Sequence, residues 1–424
     1  GEPGGREWVL GRQFPIMPGK LFFMSLRDES KLRQLEEWSK RTGVKPDRVF
    51  FSVDATLLYY PFCADFGPLS FNCVYKFCKM LKGKLEDAEK DGIKVVLYTS
   101  SDPRLRTNAA TLLACYLVLE CAMTPEEACA PLNFDGRSPF LSYRDATFDP
   151  QNFDLQILDV VRGIHKACEC GAVDYKMFNL EEYEYYDHPA VADLHVIVPG
   201  RFVAFKGPRA HRRRSSSFAT LTPADYIQIF AKLNVTAVCR LNEKHYDKQD
   251  FLAAGIGHYD MYFEDCSSPT ALVIEQFFEM CERETGTIAV HCKAGLGRTG
   301  TLISLWLMRY HLFTAVEAIG YVRVMRPGSI IGPQQQFLEQ LEGPLHLLNK
   351  ASNAPQVAAG TSLSQIGLSE LESMAGPTTL AEALRMAKLD EGAFSAEDRA
   401  LTRRRAAENT AAMRRRDGQA MPDM

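Results

Sequence analysis

The chain lacks the features that mark secreted and membrane proteins. Its 424 residues include 12 cysteines, and these show no paired spacing of the kind that binds zinc. The first residues, GEPGGREW, have neither the basic start nor the apolar core of a signal peptide. The longest apolar runs, such as 111–123, contain polar residues and fall short of the roughly 20 apolar residues of a membrane helix. These absences predict a soluble protein in a reducing, intracellular compartment.

A strong charge bias is also missing. The chain carries 49 Lys and Arg against 53 Asp and Glu, so its net charge of −4 favours neither nucleic acid nor a membrane as a partner. The hydrophobic share of 46% and the charged share of 24% are ordinary for a globular protein. Because 424 residues exceed one small core, the length predicts two domains with additional segments.

Two stretches of the chain show the same order of predicted elements. The first has a turn at 65–68, a helix at 71–85, a strand at 93–97, a loop and a helix at 108–123. The second has a turn at 265, a helix at 270–281, a strand at 287–290, a loop and a helix at 301–312. Each stretch is followed by Thr-x-x-Glu, the spacing of a capping box, at Thr124 and at Thr314. We interpret this order as an internal duplication, although any two α/β domains could share it.

Composition divides the chain further. The predicted parts are an N-terminal extension at 1–15, a first domain at 16–179, an acidic linker at 180–196, a second domain at 197–348 and a tail at 349–424. The tail has few aromatic residues and ends in the triplets Arg403–Arg405 and Arg414–Arg416, which predicts disorder or a lone helix. The basic run 211–214 and Ser215–Ser217 predict a surface loop or a kinase site.

The loop in the second stretch has the composition of an anion-binding nest. Residues 291–300 read HCKAGLGRTG, between an apolar strand and an apolar helix. Small residues let successive N–H groups point inward, and the following helix adds its positive N-terminal end. The planar fork of Arg298 can bind two phosphoryl oxygens at once. The predicted phosphate-binding residues are Lys293, Ala294, Gly295, Leu296, Gly297 and Arg298.

Cys292 is the predicted nucleophile. The inward amides, the helix N-terminus and Arg298 favour a thiolate, so we expect Cys292 to be ionised at neutral pH. We expect His291 to orient the loop through a hydrogen bond to its backbone, and Thr299 to donate to the Cys292 sulfur. The alternative, a buried structural cysteine with Arg298 as a surface charge, does not explain the surrounding pattern. A sulfurtransferase loop has related chemistry but needs no general acid.

Cleavage of a phosphate ester requires a general acid for the leaving oxygen. Asp265, in a turn-forming segment that could act as a flap, is the predicted acid, and Glu264 is its rival. A polar surface is the simpler interpretation of Gln334, Gln335 and Gln336, but Gln334 and Gln335 could position the water of the second step.

The corresponding loop of the first stretch, 98–107, reads YTSSDPRLRT, with no cysteine and no glycine, and its aspartate would repel phosphate. The first domain is therefore predicted to be catalytically inactive. It could form one wall of a substrate groove or only stabilise the second domain.

With these residues the chain closely resembles the Cdc14 family of dual-specificity protein phosphatases, over roughly 15–345. The resemblance rests on the segments 64–69 (ADFGPL), 182–184 (EYE), 198–202 (VPGRF), 291–301 (HCKAGLGRTGT) and 326–335 (RPGSIIGPQQ). It implies an α/β protein of two tandem phosphatase-like domains, each a central mixed sheet flanked by helices. A linker helix would join an inactive first copy to the catalytic copy, and a disordered tail would follow.

The resemblance also implies an activity: hydrolysis of phosphoserine, phosphothreonine and phosphotyrosine in proteins, without metal or cofactor. Preferred sites would be phosphoserine followed by proline, with a basic residue downstream, in substrates of cell-cycle kinases. A location in the nucleus, the cytoplasm or a microtubule-organising centre follows by analogy. The residues at the matching places are Val198, Pro199 and Phe202 for the proline, and Glu182, Glu184 and Asp193 for the basic residue. Without the resemblance, those acids would be interpreted as a solvated linker.

One position departs from the family. Cys266 stands where the family commonly has glycine directly after the acid, which puts the mobility of the flap in doubt. A second thiol near Cys292 could also form a reversible disulfide that protects the nucleophile. Two other functions remain open: a phosphoprotein-binding scaffold without turnover, and a lipid or RNA phosphatase, which the acids Glu182, Glu184 and Asp193 disfavour. The oligomeric state and the physiological substrates do not follow from the sequence.

Overall fold

The computed structural model describes residues 7–43, 46–135, 138–214, 219–353 and 379–387. The chain forms two compact units. The first comprises 1–61, 66–144 and 154–180, and the second comprises 62–65, 145–153 and 181–424. The arginine triplets of the tail and Ser215–Ser217 lie outside the described residues.

Four strands and five helices make up the first unit. They are β1 (Phe14–Met17), β2 (Leu21–Leu26), α1 (Ser30–Thr42), β3 (Arg48–Phe51), α2 (Phe71–Asp91), β4 (Lys94–Ser100), α3 (Pro103–Leu119), α4 (Pro125–Cys129), a short 3₁₀ turn (Ala130–Leu132) and α5 (Ile157–Glu169). The sheet order is β1-β2-β4-β3, with β1 antiparallel to β2 and the other neighbours parallel. Helix α3 is buried on all its faces from Arg106 to Val118, as a helix that packs between other layers must be.

The second unit holds the remaining elements. They are α6 (Leu180–Asp187), β5 (Leu194–Val198), β6 (Phe202–Lys206), β7 (Arg213–Arg214), β8 (Ala219–Thr220), α7 (Pro223–Lys232), β9 (Val235–Arg240), α8 (Gln249–Leu252), β10 (Gly257–Asp260), α9 (Ala271–Arg283), β11 (Thr287–Cys292), α10 (Gly297–His311), α11 (Ala315–Met325), α12 (Gln334–Asn353) and α13 (Leu380–Met386). Its main sheet has the order β10-β9-β11-β6-β5. Every residue of the central strand β11 is buried, because parallel neighbours flank it and helices cover both faces.

The two sheets share one topology. Each sheet begins with an antiparallel pair of strands at one edge. Next to this pair lies the strand that leads into the buried helix, and next to that strand lies one from earlier in the chain. The order β1-β2-β4-β3 therefore corresponds to β5-β6-β11-β9. The second sheet adds only β10 at its edge. This common strand order agrees with the predicted duplication, which stays a prediction.

The ends of several helices follow from local chemistry. The capping boxes predicted at Thr124 and Thr314 are both formed. Helix α3 begins at Pro103, five residues before the predicted start, because the Asp102 carboxylate accepts the N–H of Arg104 at 2.7 Å and proline suits the first helical position. Similarly, α10 begins at Gly297, within the predicted phosphate loop.

Two short segments from the first half of the sequence belong to the second unit. The Ala64 N–H donates to the Thr147 carbonyl at 3.3 Å, which ties the segments to each other. The buried carboxylate of Asp145 accepts the N–H of Gly332 at 2.7 Å. A Cβ at Gly328 would meet the ring of Phe62. These segments therefore support the loop that precedes α12.

Helix α13 packs against α9 and α12 of the same unit. Ala383 and Leu384 are fully buried in this contact, with exposures of 0% and 2%. A seven-residue helix is marginal in isolation, so its stability comes from this packing. Within the described ranges, no helix is both long and apolar enough to cross a membrane.

Candidate active site

The HCKAGLGRTG loop lies at the carboxyl end of the central strand. Strand β11 ends at Cys292, and α10 begins at Gly297. In sheets of this kind, ligands bind at the carboxyl ends of the parallel strands, where the first amides of the next helix are free. The loop therefore occupies the position at which this fold binds anions.

Each carbonyl of the loop is held from the outside. The Cys292 carbonyl lies 2.9 Å from Nδ1 of His291, and the Lys293 carbonyl accepts the N–H of Gly207 at 3.3 Å. The guanidinium of Arg326 takes the next two carbonyls, those of Ala294 and Gly295, both at 2.8 Å. In a trans peptide the C=O and the following N–H point in opposite directions. The four N–H groups from Lys293 to Leu296 are therefore turned inward.

One of these amides reaches the sulfur. The N–H of Gly295 donates to Sγ of Cys292 at 3.2 Å. Gly295 has a φ of +69°, and a Cβ there would collide with the carbonyl of Phe205. Only glycine combines this backbone conformation with such a close approach, so the residue is required for the loop to close under Sγ.

Arg298 sits beside the nest, with one of its three nitrogens bonded to backbone carbonyls and Nη2 facing the carboxylate of Asp265. Its Nη1 donates to the carbonyls of Phe263 and Leu241, at 2.8 and 3.2 Å. Its Nε and Nη2 are buried and make no hydrogen bond within the described residues. Burial opposes the charge of Arg298, but the neighbouring Cys292 and Asp265 outweigh it and leave the guanidinium pKa above its ordinary value. A buried cation with unused donors is the feature expected of a phosphate clamp.

Asp265 is the acidic residue in contact with this clamp. Its Oδ1 lies 3.2 Å from Nη2 of Arg298, and its side chain keeps 30% exposure. The backbone carbonyl of Glu264, the rival acid, accepts from the hydroxyl of Ser267 at 2.7 Å. The flap is also tied to α12, because Nε2 of Gln334 donates to the Ser267 carbonyl at 2.9 Å. Both the acid and the flap are thus brought to the phosphate loop.

Cys266, the departure from the family, adopts a φ of +59° and is buried. Glycine takes this conformation without steric cost, whereas a residue with a Cβ is strained there. Both Cys266 and Cys292 are free cysteines. The disulfide between them stays a prediction.

Two hydrogen bonds differ from the sequence-based expectation. The hydroxyl of Thr299 is buried and makes no hydrogen bond within the described residues, so it does not donate to Cys292, whose sulfur accepts from Gly295 instead. Gln335 is held inside by Arg323, whose Nη2 donates to its Oε1 at 2.8 Å. Of the two candidate water-positioning residues, Gln334 alone contacts the flap among the described residues.

The predicted proline pocket lies at the wrong end of the sheet. Phe202 pairs with Ile288, four residues and roughly 13 Å of strand before Cys292. Its ring is fully buried against Phe277 and Trp306. Val198 ends strand β5 and pairs with Phe202, and Pro199 lies in the hairpin turn that follows. We therefore withdraw these three residues as a proline site, because strand register places their side chains in the core or at the opposite edge.

The three predicted acids also separate. Asp193 is engaged by Arg326, with Oδ1 and Nη2 2.8 Å apart, so it supports the phosphate loop from behind. Glu182 and Glu184 are exposed on α6. Between them, the hydroxyl of Tyr183 donates to the carbonyl of Met325 and fixes the helix to the end of α11. Of the three predicted acids, Glu182 and Glu184 are the two that lie exposed on the surface of the described chain.

Of the residues that hold the loop carbonyls, the sequence indicates His291, whose Nδ1 lies 2.9 Å from the Cys292 carbonyl, but not Arg326 or Gly207. Arg326 is 2% exposed and bonds the carbonyls of Ala294 and Gly295, but it was noted only as part of a motif. Gly207 lies where a Cβ would collide with the Cys292 carbonyl. The available signal is the pair Arg323 and Arg326 in a largely apolar helix end, since an arginine buried in such a place must bond backbone or acids.

Two family models match the chain. The model described as "Dual specificity protein phosphatase, N-terminal half" matches residues 15–167, and the one described as "Dual specificity phosphatase, catalytic domain" matches residues 214–343. Fold, loop and matches together define a protein of the dual-specificity phosphatase class.

Similar curated proteins narrow the class. Human dual specificity protein phosphatase CDC14A is 42% identical over 330 residues, which cover 78% of this chain and 54% of the relative. Human CDC14C is 43% identical over 298 residues, with coverage of 70% and 66%. The tyrosine-protein phosphatase CDC14 homolog of Schizosaccharomyces pombe is 38% identical over 338 residues, with coverage of 78% and 60%. The chain belongs to the Cdc14 family of dual-specificity protein phosphatases. It spans between about half and two thirds of the length of these relatives.

Proposed function

We propose that this protein hydrolyses phosphoserine, phosphothreonine and phosphotyrosine in proteins through a phosphocysteine intermediate on Cys292. The observation that carries the proposal is the arrangement of the loop. Sγ of Cys292 accepts an inward N–H, and beside it the buried guanidinium of Arg298 has two N–H groups without hydrogen-bond partners among the described residues.

In the first step, phosphate displaces a carboxylate. Two phosphoryl oxygens bind Nε and Nη2 of Arg298, which frees Asp265 from its present contact with Nη2. The Cys292 thiolate attacks phosphorus, and the bond from phosphorus to the ester oxygen breaks. Asp265, released from Arg298, takes up a proton from solvent and then gives it to that oxygen, so that the leaving group departs as an alcohol or phenol.

In the second step, water releases the phosphate. Asp265, now a carboxylate, accepts a proton from water as the water oxygen attacks phosphorus and the bond from phosphorus to sulfur breaks. The thiolate of Cys292 and inorganic phosphate result. A Thr299 hydroxyl that turned toward the sulfur at this stage would ease its departure. The bond from Gln334 to the flap supports a role for this amide in holding the attacking water.

For the substrate, we infer phosphoserine followed by proline with a basic residue downstream. Family membership supports the proline preference, and the exposed Glu182 and Glu184 support the basic residue. An exposed carboxylate pair contributes modestly to affinity, about 0.2–1 kcal/mol per ion pair, and chiefly selects between substrates.

The test is turnover of a phosphoserine-proline peptide with a downstream lysine, in EDTA, by wild type, Cys292→Ser and Asp265→Ala. We expect the serine variant to be inactive and the alanine variant to lose about 10²–10⁴-fold in kcat while it still binds the peptide. Glu264→Ala is the matched control and should retain activity. An equal loss of kcat in Glu264→Ala would show that the assignment of Asp265 as the general acid is wrong. Wild type that binds the peptide without cleaving it would identify a phosphoprotein-binding scaffold.

A further inference from the structure

Behind the phosphate loop lies a buried chain of three side chains that the reaction steps above do not use. Tyr246, in the loop between β9 and α8, is 2% exposed. Its hydroxyl lies 2.8 Å from Nε2 of His291 and 2.8 Å from Nε2 of His258, which is on strand β10. The other nitrogen of His291 lies 2.9 Å from the Cys292 carbonyl. The chain therefore runs from the sheet edge to the nucleophile's own peptide group.

The chemistry of these groups determines the direction of each hydrogen bond. A carbonyl oxygen only accepts, so Nδ1 of His291 carries a proton, and Nε2 of the neutral ring must accept from Tyr246. A hydroxyl has a single proton, so Tyr246 then accepts from Nε2–H of His258. All three bonds thus point toward Cys292, and only one tautomer of each histidine satisfies them.

The surroundings keep both rings neutral. Burial lowers the pKa of His291 to about 3 and that of His258 to about 4. Asp260 faces His258 but is 3.9 Å from its Nδ1, and its carboxylate is taken by Nε of Arg240 at 2.7 Å. Arg240 and Lys248 add positive charge that opposes protonation of His258. Arg240 also donates to the Tyr246 carbonyl at 3.0 Å, which fixes the tyrosine.

We propose that Tyr246 and His258 are positioning residues for the phosphatase reaction, and this rests on the proposed function. They hold His291 as the Nδ1–H tautomer, which anchors the Cys292 carbonyl outside the nest. Because that carbonyl shares a peptide with the Lys293 N–H, anchoring it directs this N–H toward the phosphate and the sulfur. Without the hydroxyl, His291 can protonate Nε2 instead, and its bare Nδ1 then repels the carbonyl.

The first test is Tyr246→Phe against Tyr321→Phe. Tyr321 is a matched control, since it is also fully buried and its hydroxyl donates to the Ile197 carbonyl at 2.6 Å, at the hairpin end of the sheet away from Cys292. We expect Tyr246→Phe to lower kcat/KM about tenfold or more and to slow alkylation of Cys292 by iodoacetamide at pH 6.5 severalfold. Tyr321→Phe should change neither by more than about twofold.

A second pair of variants separates the hydrogen bond from packing. Glutamine can place its Nε2 donor near the position of the imidazole Nε2, whereas leucine fills similar space without a donor. We expect His258→Gln to keep most of the activity and His258→Leu to fall as far as Tyr246→Phe. Equal losses in both variants would indicate a packing role and overturn the proposal.

The tautomer can be measured without turnover. In protein with ¹⁵N-labelled histidine, His291 of wild type should show a proton on Nδ1 and none on Nε2 at pH 7. A proton on Nε2 would overturn the proposal, as would a Tyr246→Phe enzyme indistinguishable from Tyr321→Phe. If wild type hydrolyses no phosphopeptide, the proposed function fails, while the ¹⁵N spectrum still decides whether Tyr246 and His258 set the tautomer.

Discussion

Individual side chains in this site act largely through backbone oxygens. Arg326 and His291 hold three loop carbonyls so that the opposite amides face inward. Asp193 and His195 in turn hold Arg326, with contacts of 2.8 Å each. The nest is thus prepared before substrate arrives, which is the condition for strong transition-state stabilisation.

The buried histidines make stability depend on pH. The folded-state pKa of His258 is about 4, below the 6.5 of the free side chain, so the unfolded chain takes up the proton first. The contribution of neutral His258 to the free energy of unfolding is therefore fully present above pH 6.5 and is lost as the pH falls toward 4. We would measure urea unfolding of wild type and His258→Gln between pH 7 and pH 4.5. The free energy of unfolding of wild type should fall relative to that of His258→Gln by up to about 1.4 kcal/mol per pH unit. A constant difference would show that the His258 pKa is not lowered.

Sequence predicts the residues whose role is local and misses those that depend on register. Cys292, Arg298 and the loop between them form one contiguous segment, so composition alone indicates the nest. The predicted role of Phe202 rests on its position in the motif at 198–202, and that of Asp193 on its place in the acidic linker. The surroundings of Phe202 depend on the register of β6 against β11, and those of Asp193 on its contact with the distant Arg326. No short sequence pattern contains that information.

At the scale of elements, the flap is joined to the start of α12 by a side-chain hydrogen bond. Gln334 and Gln335 begin α12 and are both buried, at 0% and 1% exposure. Gln334 also accepts the N–H of Ile331 at 2.9 Å through Oε1, and the same oxygen would lie 3.0 Å from a Cβ at Gly297. One glutamine thus joins the phosphate loop, the flap and α12.

Replacement of these glutamines by methionine should separate their roles. Gln334→Met should slow phosphocysteine hydrolysis, because the second step loses the amide nearest the loop, and kcat should fall about tenfold. Stopped-flow with p-nitrophenyl phosphate should then show a burst of one nitrophenol per enzyme followed by slow turnover. Gln335→Met should lower the melting temperature and show no burst. A burst in Gln335→Met but not in Gln334→Met would instead assign the second step to Gln335 and the structural role to Gln334.

The predicted order of helices and strands around each loop agrees with the structure, but the starts of α3 and α10 do not. Apolar periodicity predicts helix starts at Asn108 and Thr301, directly before the apolar runs. The helices actually begin at Pro103 and Gly297, where a cap or the loop geometry sets the start. A cap such as Asp102 is a local signal that the sequence contains, whereas the loop-to-helix transition at Gly297 depends on tertiary hydrogen bonds.

At the scale of the molecule, the catalytic unit extends well beyond its matched domain. Helix α13 follows the matched residues 214–343 and still packs on α9 and α12. Neither its sequence, in a segment predicted as disordered or as a lone helix, nor its length indicated that contact. The burial of Leu384 is what attaches it.

Leu384→Ala should therefore destabilise the unit without affecting chemistry. Removal of a buried leucine side chain costs about 2–4 kcal/mol when the site is well packed, and less if α13 simply detaches. We expect the melting temperature to fall by a few degrees, measured by calorimetry, with kcat/KM unchanged. Arg385→Ala, on the exposed face of the same helix, is the control. Equal melting temperatures for the two variants would contradict the packing.

The segments 62–65 and 145–153 have a consequence for any shortened version of the gene. Each lies in the first half of the sequence but belongs to the catalytic unit, where Asp145 satisfies the N–H of Gly332. A gene shortened to the second domain would lose both pieces and leave that buried amide without its acceptor. Deletion of the first domain would therefore also remove parts of the catalytic unit itself.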